Sequence, residues 1–191
     1  MADRSSKADE ILDIAEAMAR ENGFFGFSFR EIATAVGIKS ASVHYHFPTK
    51  DDLGVALVQR YTDRFMAALG EPDDPARTPD TAFRDYVAAF AKAAVEDRKM
   101  CLCGMFGAEI LGLPLTVASE TQRFFDLNRQ WLKTLLARVG IDDAEVQDGK
   151  ALAIIATLEG ALLLSRAYAD PAAFERTVAG LGIANHLDDR R

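Results

Sequence analysis

With 191 residues, 49% of them hydrophobic and 27% charged, the chain is long enough for a small unit and a larger one, each with its own core. The formal net charge is −7, no apolar run reaches the length of a membrane span, and the opening MADRSSKADE lacks the apolar core of a secretion signal, so a cytoplasmic protein with no membrane partner is the expectation. Alanine and leucine abound and alternating β-branched runs are missing, so the chain reads as all-α.

The first predicted helix runs from about Lys7 to Glu21, with Ile11, Ile14, Ala15 and Met18 on its buried stripe and Asn22-Gly23 ending it. Phe24, Phe25, Phe27 and Phe29 follow as the core of a small domain; such a cluster can also stack unpaired bases, but its neighbours are not basic. In FSFREIATAVGIKSASVHYHFPTKDDL, Phe27 to Leu53, Ser28 and Glu31 form a capping box that starts a helix at Phe29. Phe29, Ile32, Ala33 and Val36 make its apolar face, Gly37 supplies a left-handed stop, and Ile38 plugs the corner. A second short helix spans about Ser40 to His46 and cannot pass Pro48. This is the shape of a helix-turn-helix, whose second helix enters the DNA major groove.

The residues of that second helix suit such a groove. Ser40, Ala41 and Ser42 are small enough for close approach to base edges, where hydroxyls exchange hydrogen bonds and alanine meets a thymine methyl. His44, Tyr45 and His46 offer polar groups on flat rings to phosphates and groove walls. Thr49 can cap the next helix, and Lys50 is placed to meet a phosphate. Ser28, Arg30 and Lys39 complete the candidate DNA-binding set. Helical proteins that never touch DNA also contain short corners of this kind.

Residues from about Lys7 to Leu57 resemble the N-terminal domain of TetR/AcrR-type transcriptional regulators, through ILDIAEAMARENGF, SFREIATAVGI and SVHYHFPTKDDL in that order. The resemblance implies a three-helix helix-turn-helix DNA-binding domain, residues 1–50, followed by a helical-bundle ligand-binding and dimerisation domain, residues 51–191. It also implies a homodimer through the two C-terminal helices and, by the habit of the family, a repressor. The family often has Ser where this chain has Lys39 and Tyr where it has His44; both positions bear on which operator is read. Two such helices about one turn of DNA apart, roughly 34–36 Å or a multiple, read a palindromic double-stranded operator.

Charge runs against DNA binding at first sight, because Met1 to Arg60 holds seven Lys/Arg against nine Asp/Glu. The acids Asp9, Glu10, Asp13 and Glu16 sit in the first helix, however, and Gly37 to Lys50 contains Lys39 and Lys50 with no acid. The expected behaviour is weak nonspecific binding, marked salt sensitivity and dependence on a dimer with correct base contacts.

The helix opened at Lys50 carries Leu53, Leu57, Tyr61 and Phe65 to about Leu69, long enough to belong to both domains. A Pro- and Asp-rich loop, Gly70 to Asp80, precedes a helix from about Thr81 to Asp97 with Phe83, Tyr86, Val87, Phe90 and Ala94 on its apolar face. MCLCGMFGAEILGLP then has Glu109 as its single acid and should lie inside a domain or line a cavity. Pro114 separates it from a helix of about Thr116 to Val139, ended by Gly140. The last pair, Ala151 to Asp170 and a helix opened by Pro171 with Phe174, Val178 and Leu181, reads as a hairpin that packs on its own copy or completes the monomer core.

The input has two candidate forms. Phe90, Met105, Phe106, Phe124, Phe125 and Trp131 can line a pocket for a small apolar effector, with Glu109 or Arg129 orienting it. Most of these aromatics serve equally as plain core. Cys101 and Cys103 are either small core residues or thiol sensors for an electrophilic effector, with Arg98 and Lys99 just upstream to favour the thiolate. A C-x-C pair distant in sequence from His44, His46 and His186 is a poor metal site, so no metal or cofactor is expected. The rival classes are a small cysteine-dependent enzyme, for which no phosphate loop or nucleophile elbow speaks, and a dimerisation module that does not bind DNA.

Overall fold

The computed structural model describes the backbone of residues 2–180 and the side chains of residues 7–95 and 98–180; Leu181 and His186 lie outside the described residues. Among these residues every regular element is helical. In chain order they are α1 (Ala2–Asn22), α2 (Phe29–Val36), α3 (Ser40–His46), α4 (Lys50–Leu69), α5 (Pro79–Lys92), α6 (Leu102–Ala108), α7 (Leu115–Arg138), α8 (Ala144–Ala167) and α9 (Ala172–Gly180).

Local chemistry accounts for most of the boundaries. Ser28 in extended backbone accepts from Glu31 N at 3.3 Å and donates to Glu31 Oε2 at 2.7 Å, which opens α2. Gly37, at φ 76°, closes α2 while Ile38 N donates to Ala33 O at 2.9 Å. Thr49 and Asp52 exchange caps at the start of α4: Asp52 N donates to Thr49 Oγ1 at 3.1 Å, and Thr49 N donates to the Asp52 carboxylate at 3.0 Å. Thr78 with Pro79 behind it opens α5.

Two expected boundaries are corrected. The helix from about Thr81 to Asp97 is α-helical only from Pro79 to Lys92; Ala93–Asp97 widens into a π-helical turn that ends on Arg98 in the left-handed region, φ 52°. The helix expected from Ala151 starts at Ala144, because Asp143 accepts from Glu145 N at 2.9 Å and Val146 N at 3.0 Å and so caps a start upstream of the apolar run.

The chain forms two compact units. The first takes in the residues up to Asp63 together with Leu102–Phe124, so α6 and the beginning of α7 pack with α1 to α4. The second holds Arg64–Cys101 and the chain from Phe125 onward. In the first unit Ile11, Ala15, Phe24, Phe27, Ile32, Val43, Leu53, Leu57, Phe106 and Val117 are buried. Gly54 lets α4 come close: a Cβ there would lie 2.7 Å from Phe24 and 2.8 Å from Val117. Arg60 ties α4 to α1 through Asp13 at 2.8 Å and Glu16 at 3.4 Å. In the second unit Tyr86 stacks on Trp131 at 5.3 Å and contacts Phe65 and Phe90, while Trp131 Nε1 donates to Gly70 O at 2.8 Å. No described helix is long and apolar enough to cross a membrane.

Candidate DNA interface and regulatory core

Helix α3 is held by one buried side chain, Val43, and by the Phe47 N–H, which donates to Val43 O at 2.8 Å. The rest of its surface is left for contact. Lys39, Ala41, His44 and Tyr45 are exposed, with Tyr45 at 62%, and Ser40, Ser42 and His46 are half-buried. His44 is steadied by its Nδ1 against Pro48 O at 3.2 Å and by its ring against Phe29 at 4.6 Å, which leaves the far edge of the imidazole to the outside. Tyr45 meets His46 edge-on at 5.4 Å. Arg30 is exposed on α2, and the Ser28 hydroxyl is occupied by the capping box.

Lys50 is placed differently from the others. Its ammonium donates to Phe27 O at 2.6 Å and lies over the rings of Phe27 and Phe24, at 4.4 and 4.9 Å. Burial lowers its pKa from the usual lysine value, against the opposing pull of Glu109 and Glu31. In this conformation Lys50 stitches the start of α4 to the loop that feeds α2.

Glu109, just after α6, completes the same junction. It accepts from Phe24 N at 2.7 Å, and a Cβ at Gly23 would fall 2.2 Å from its carboxylate, so the Gly23 turn exists to admit it. Expected from sequence to orient an effector, Glu109 is here committed to the loop beneath the helix-turn-helix. We expect Glu109→Ala to lower stability by about 2 kcal/mol, because a charged hydrogen bond is lost and the Phe24 N–H is left unpaired. Thermal unfolding should show a fall of roughly 4–8 °C, whereas Glu109→Gln, which can still accept, should lose less than half of that.

The other expected effector contacts do not gather around one cavity. Phe106 packs edge-on against Phe24 at 5.6 Å and Phe124 lies tilted against Tyr61 at 5.8 Å, both in the first unit. Phe90 and Trp131 belong to the Tyr86 cluster of the second. Met105 and Phe125 are half-buried, and Arg129 pairs with Asp126 at 3.3 Å and Asp148 at 3.7 Å. Cys101 and Cys103 are buried, 1% and 0% exposed, and fall in different units.

The polar group that sequence reading passed over is Glu159. It is the lone acid in Ala151–Ala167, a signal that was available in the residues. Its stem is partly exposed, but neither carboxylate oxygen meets water or a well-formed hydrogen bond, and burial pushes its pKa from 4.5 to about 7. The Cys101 thiol beside it favours the ionised form, as a weak donor does, without offsetting the burial. Tyr86, whose hydroxyl donates to Asn128 Oδ1 at 2.9 Å, feels the same acid; burial first and Glu159 second push its pKa well up. Among the described residues no group of His, Cys, Asp and Glu is arranged to hold a metal ion.

Residues 11–57 match the family model of bacterial regulatory proteins of the tetR family, and residues 79–179 match that of the C-terminal domain of LmrA/YxaF-like transcriptional regulators. A TetR transcriptional regulator from Legionella pneumophila has a similar structure, 37% identical with a TM-score of 0.82 over 94% of both chains. A TetR-family regulator from Agrobacterium tumefaciens is 32% identical with a TM-score of 0.84, covering 93% of this chain and 96% of its own. The chain spans about half the length of the curated relatives it matches; the HTH-type transcriptional repressor DhaR of Mycobacterium sp. strain GP1 is 26% identical over 114 residues, 59% of this chain and 55% of DhaR.

Proposed function

The chain belongs to the TetR family of bacterial regulatory proteins, and from that premise we propose that it is a cytoplasmic transcriptional repressor which binds a palindromic DNA operator as a homodimer. The observation that carries this reading is α3: a seven-residue helix whose one buried side chain is Val43, with Lys39, Ala41 and Tyr45 turned outward and no acid between Gly37 and Lys50. Ser40, Ser42, His44 and His46 flank the base-reading edge, Arg30 stands at the start of α2 for phosphates while Ser28 serves its cap, and Lys50 acts by holding the loop in place. Residues 1–50 carry the DNA contacts, and the chain from 51 onward carries dimerisation and input.

Helix α8 supports the homodimer. Leu152, Leu163, Leu164 and Tyr168 are each at least 40% exposed, and Leu152, Ala156, Leu163 and Ala167 repeat at helical spacing along an uncovered face. A second copy of α8 and α9 covers such a face as a four-helix bundle.

The input is a small ligand bound in the second unit rather than a modified thiol, because Cys101 and Cys103 are buried. Helices α4 and α7 each run through both units, so a ligand that prefers one course of these helices changes the setting of α3. Coupling of about 1–3 kcal/mol would change operator affinity 5- to 150-fold.

Selection of bound sequences from random duplex DNA, at low and moderate salt, tests the proposal. A palindromic consensus with half-sites one or more helical turns apart is the expected result. A stable dimer that enriches no sequence at either salt would defeat it.

A further inference from the structure

Helices α2, α4, α5 and α8 each open on a side chain that accepts from the backbone two or three residues on: Ser28, Thr49, Thr78 and Asp143. Helix α3 opens on Lys39 instead, in extended backbone, with no side-chain cap and no acid in its first turn. The Lys39 carbonyl accepts from Ser42 N at 2.8 Å, so the backbone begins the helix normally and the side chain takes no part. Lysine is a poor residue for that position. It offers no acceptor to the first N–H groups, and its charge is set against the partial positive charge of the helix start. A local choice that costs stability persists where the side chain serves binding.

Lys39 is exposed, and it is the one Lys or Arg between Gly37 and Thr49. Ser40 and Ala41, next in line, are small enough to let the start of α3 approach the groove floor, where the first residues of a recognition helix meet base edges. An ammonium has three donors and no acceptor. Of the four bases, guanine alone presents two acceptors, O6 and N7, to the major groove. Adenine sets its amine beside N7, cytosine offers an amine, and thymine has one acceptor beside a methyl. A donor-only group therefore selects guanine. The neighbouring outward groups differ from it. His44 Nδ1 lies 3.2 Å from Pro48 O, which can only accept, so Nδ1 carries the proton and the neutral ring turns an accepting Nε2 outward. Ala41 has no polar side-chain atom, and Tyr45 ends in a hydroxyl with a single proton.

We propose that Lys39 reads a guanine in each half-site of the operator, donating to O6 and N7 in the major groove. The inference rests on the repressor reading above and adds to it the base at one position. A lysine that meets a phosphate strengthens binding to every sequence alike, whereas one that reads a base confines its effect to one position.

Selection from random duplex DNA with the parent, Lys39→Met and Lys39→Ser tests it. The parent consensus should hold a guanine at the same place in both half-sites. Both variants should accept any base there and keep the remaining positions. Replacing that guanine by adenine in one half-site should weaken the parent roughly 5- to 150-fold in fluorescence anisotropy, and the variants less than about twofold. Lys39→Ser supplies the missing cap, so it should melt about 2–4 °C above the parent while losing the guanine. Guanine preference kept in both variants, or affinity that falls equally for every sequence, overturns the proposal. So does a melting temperature below the parent's in either variant, which would give Lys39 a structural role. No consensus from the parent itself is the failure of the repressor reading and takes this inference with it. A palindrome whose positions are all indifferent to Lys39 is the failure of this inference alone.

Discussion

Glu159→Gln is expected to raise the melting temperature at pH 8 by roughly 5–10 °C and to leave it almost unchanged near pH 4.5. The sign follows from proton counting. Burial raises the Glu159 carboxyl from 4.5 to about 7 in the folded chain, so between those values the folded state holds a proton that the unfolded state has released. Stability contributed by this group is therefore full below pH 4.5, declines as pH rises towards 7, and stays low above it. A displacement of that size corresponds to roughly 3 kcal/mol at pH 8. Glutamine keeps the shape and abolishes the titration, so the variant should lose the pH dependence in the 4.5–7 window. Thermal unfolding followed from pH 4.5 to 8 reads this directly. Parallel curves for the parent and the variant would mean that the Glu159 carboxylate is solvated or paired in solution. Since α8 also bears the exposed leucines of the proposed dimer face, a neutral residue at 159 should strengthen the dimer as well.

Tyr45→Ala is expected to reduce operator affinity roughly 5- to 150-fold while the melting temperature moves by less than 2 °C, because a groove contact is worth about 1–3 kcal/mol of binding and an exposed side chain little stability. The ring is 62% exposed and touches His46 edge-on, so its removal opens no cavity in the core that Val43 fills. Fluorescence anisotropy with the selected operator, beside a melting curve, separates the two effects. Unchanged affinity would show that Tyr45 does not face DNA and would move the reading surface towards Lys39 and Ala41. Lys50→Ala provides a contrast. Because the Lys50 ammonium is spent on Phe27 O and two aromatic rings, its loss should lower stability together with affinity.

Several features of the site were legible in residues because the forces that make them act over three or four positions. Ser28 with Glu31, Thr49 with Asp52, and Gly37 with Ile38 each close a hydrogen-bonded cap within a few residues, and each cap forms as its local pattern indicates. The exposed face of α3 follows from the period of one buried residue, Val43. Where the sequence reading went astray, the local pattern was misleading or silent. Apolar periodicity over Thr81 to Asp97 cannot tell an α-turn from a π-turn, since both bury Ala93 and Ala94. The aromatics expected around an effector were recognised as apolar, but whether an aromatic lines a cavity or fills one depends on partners far along the chain. Phe106 meets Phe24, and Tyr86 meets Trp131.

By itself the sequence determined the helical class, the caps, the helix-turn-helix and the family, all of which rest on short-range hydrogen bonding and on apolar spacing that any fold must respect. The tertiary structure alone decided which polar groups are desolvated and against what. Glu109 reaches Phe24 across 85 positions, and Lys50 turns inward to Phe27 across 23. Spacing along a chain carries no record of such encounters, because the energy of a buried charge is set by the neighbours that packing brings, whatever their distance in sequence.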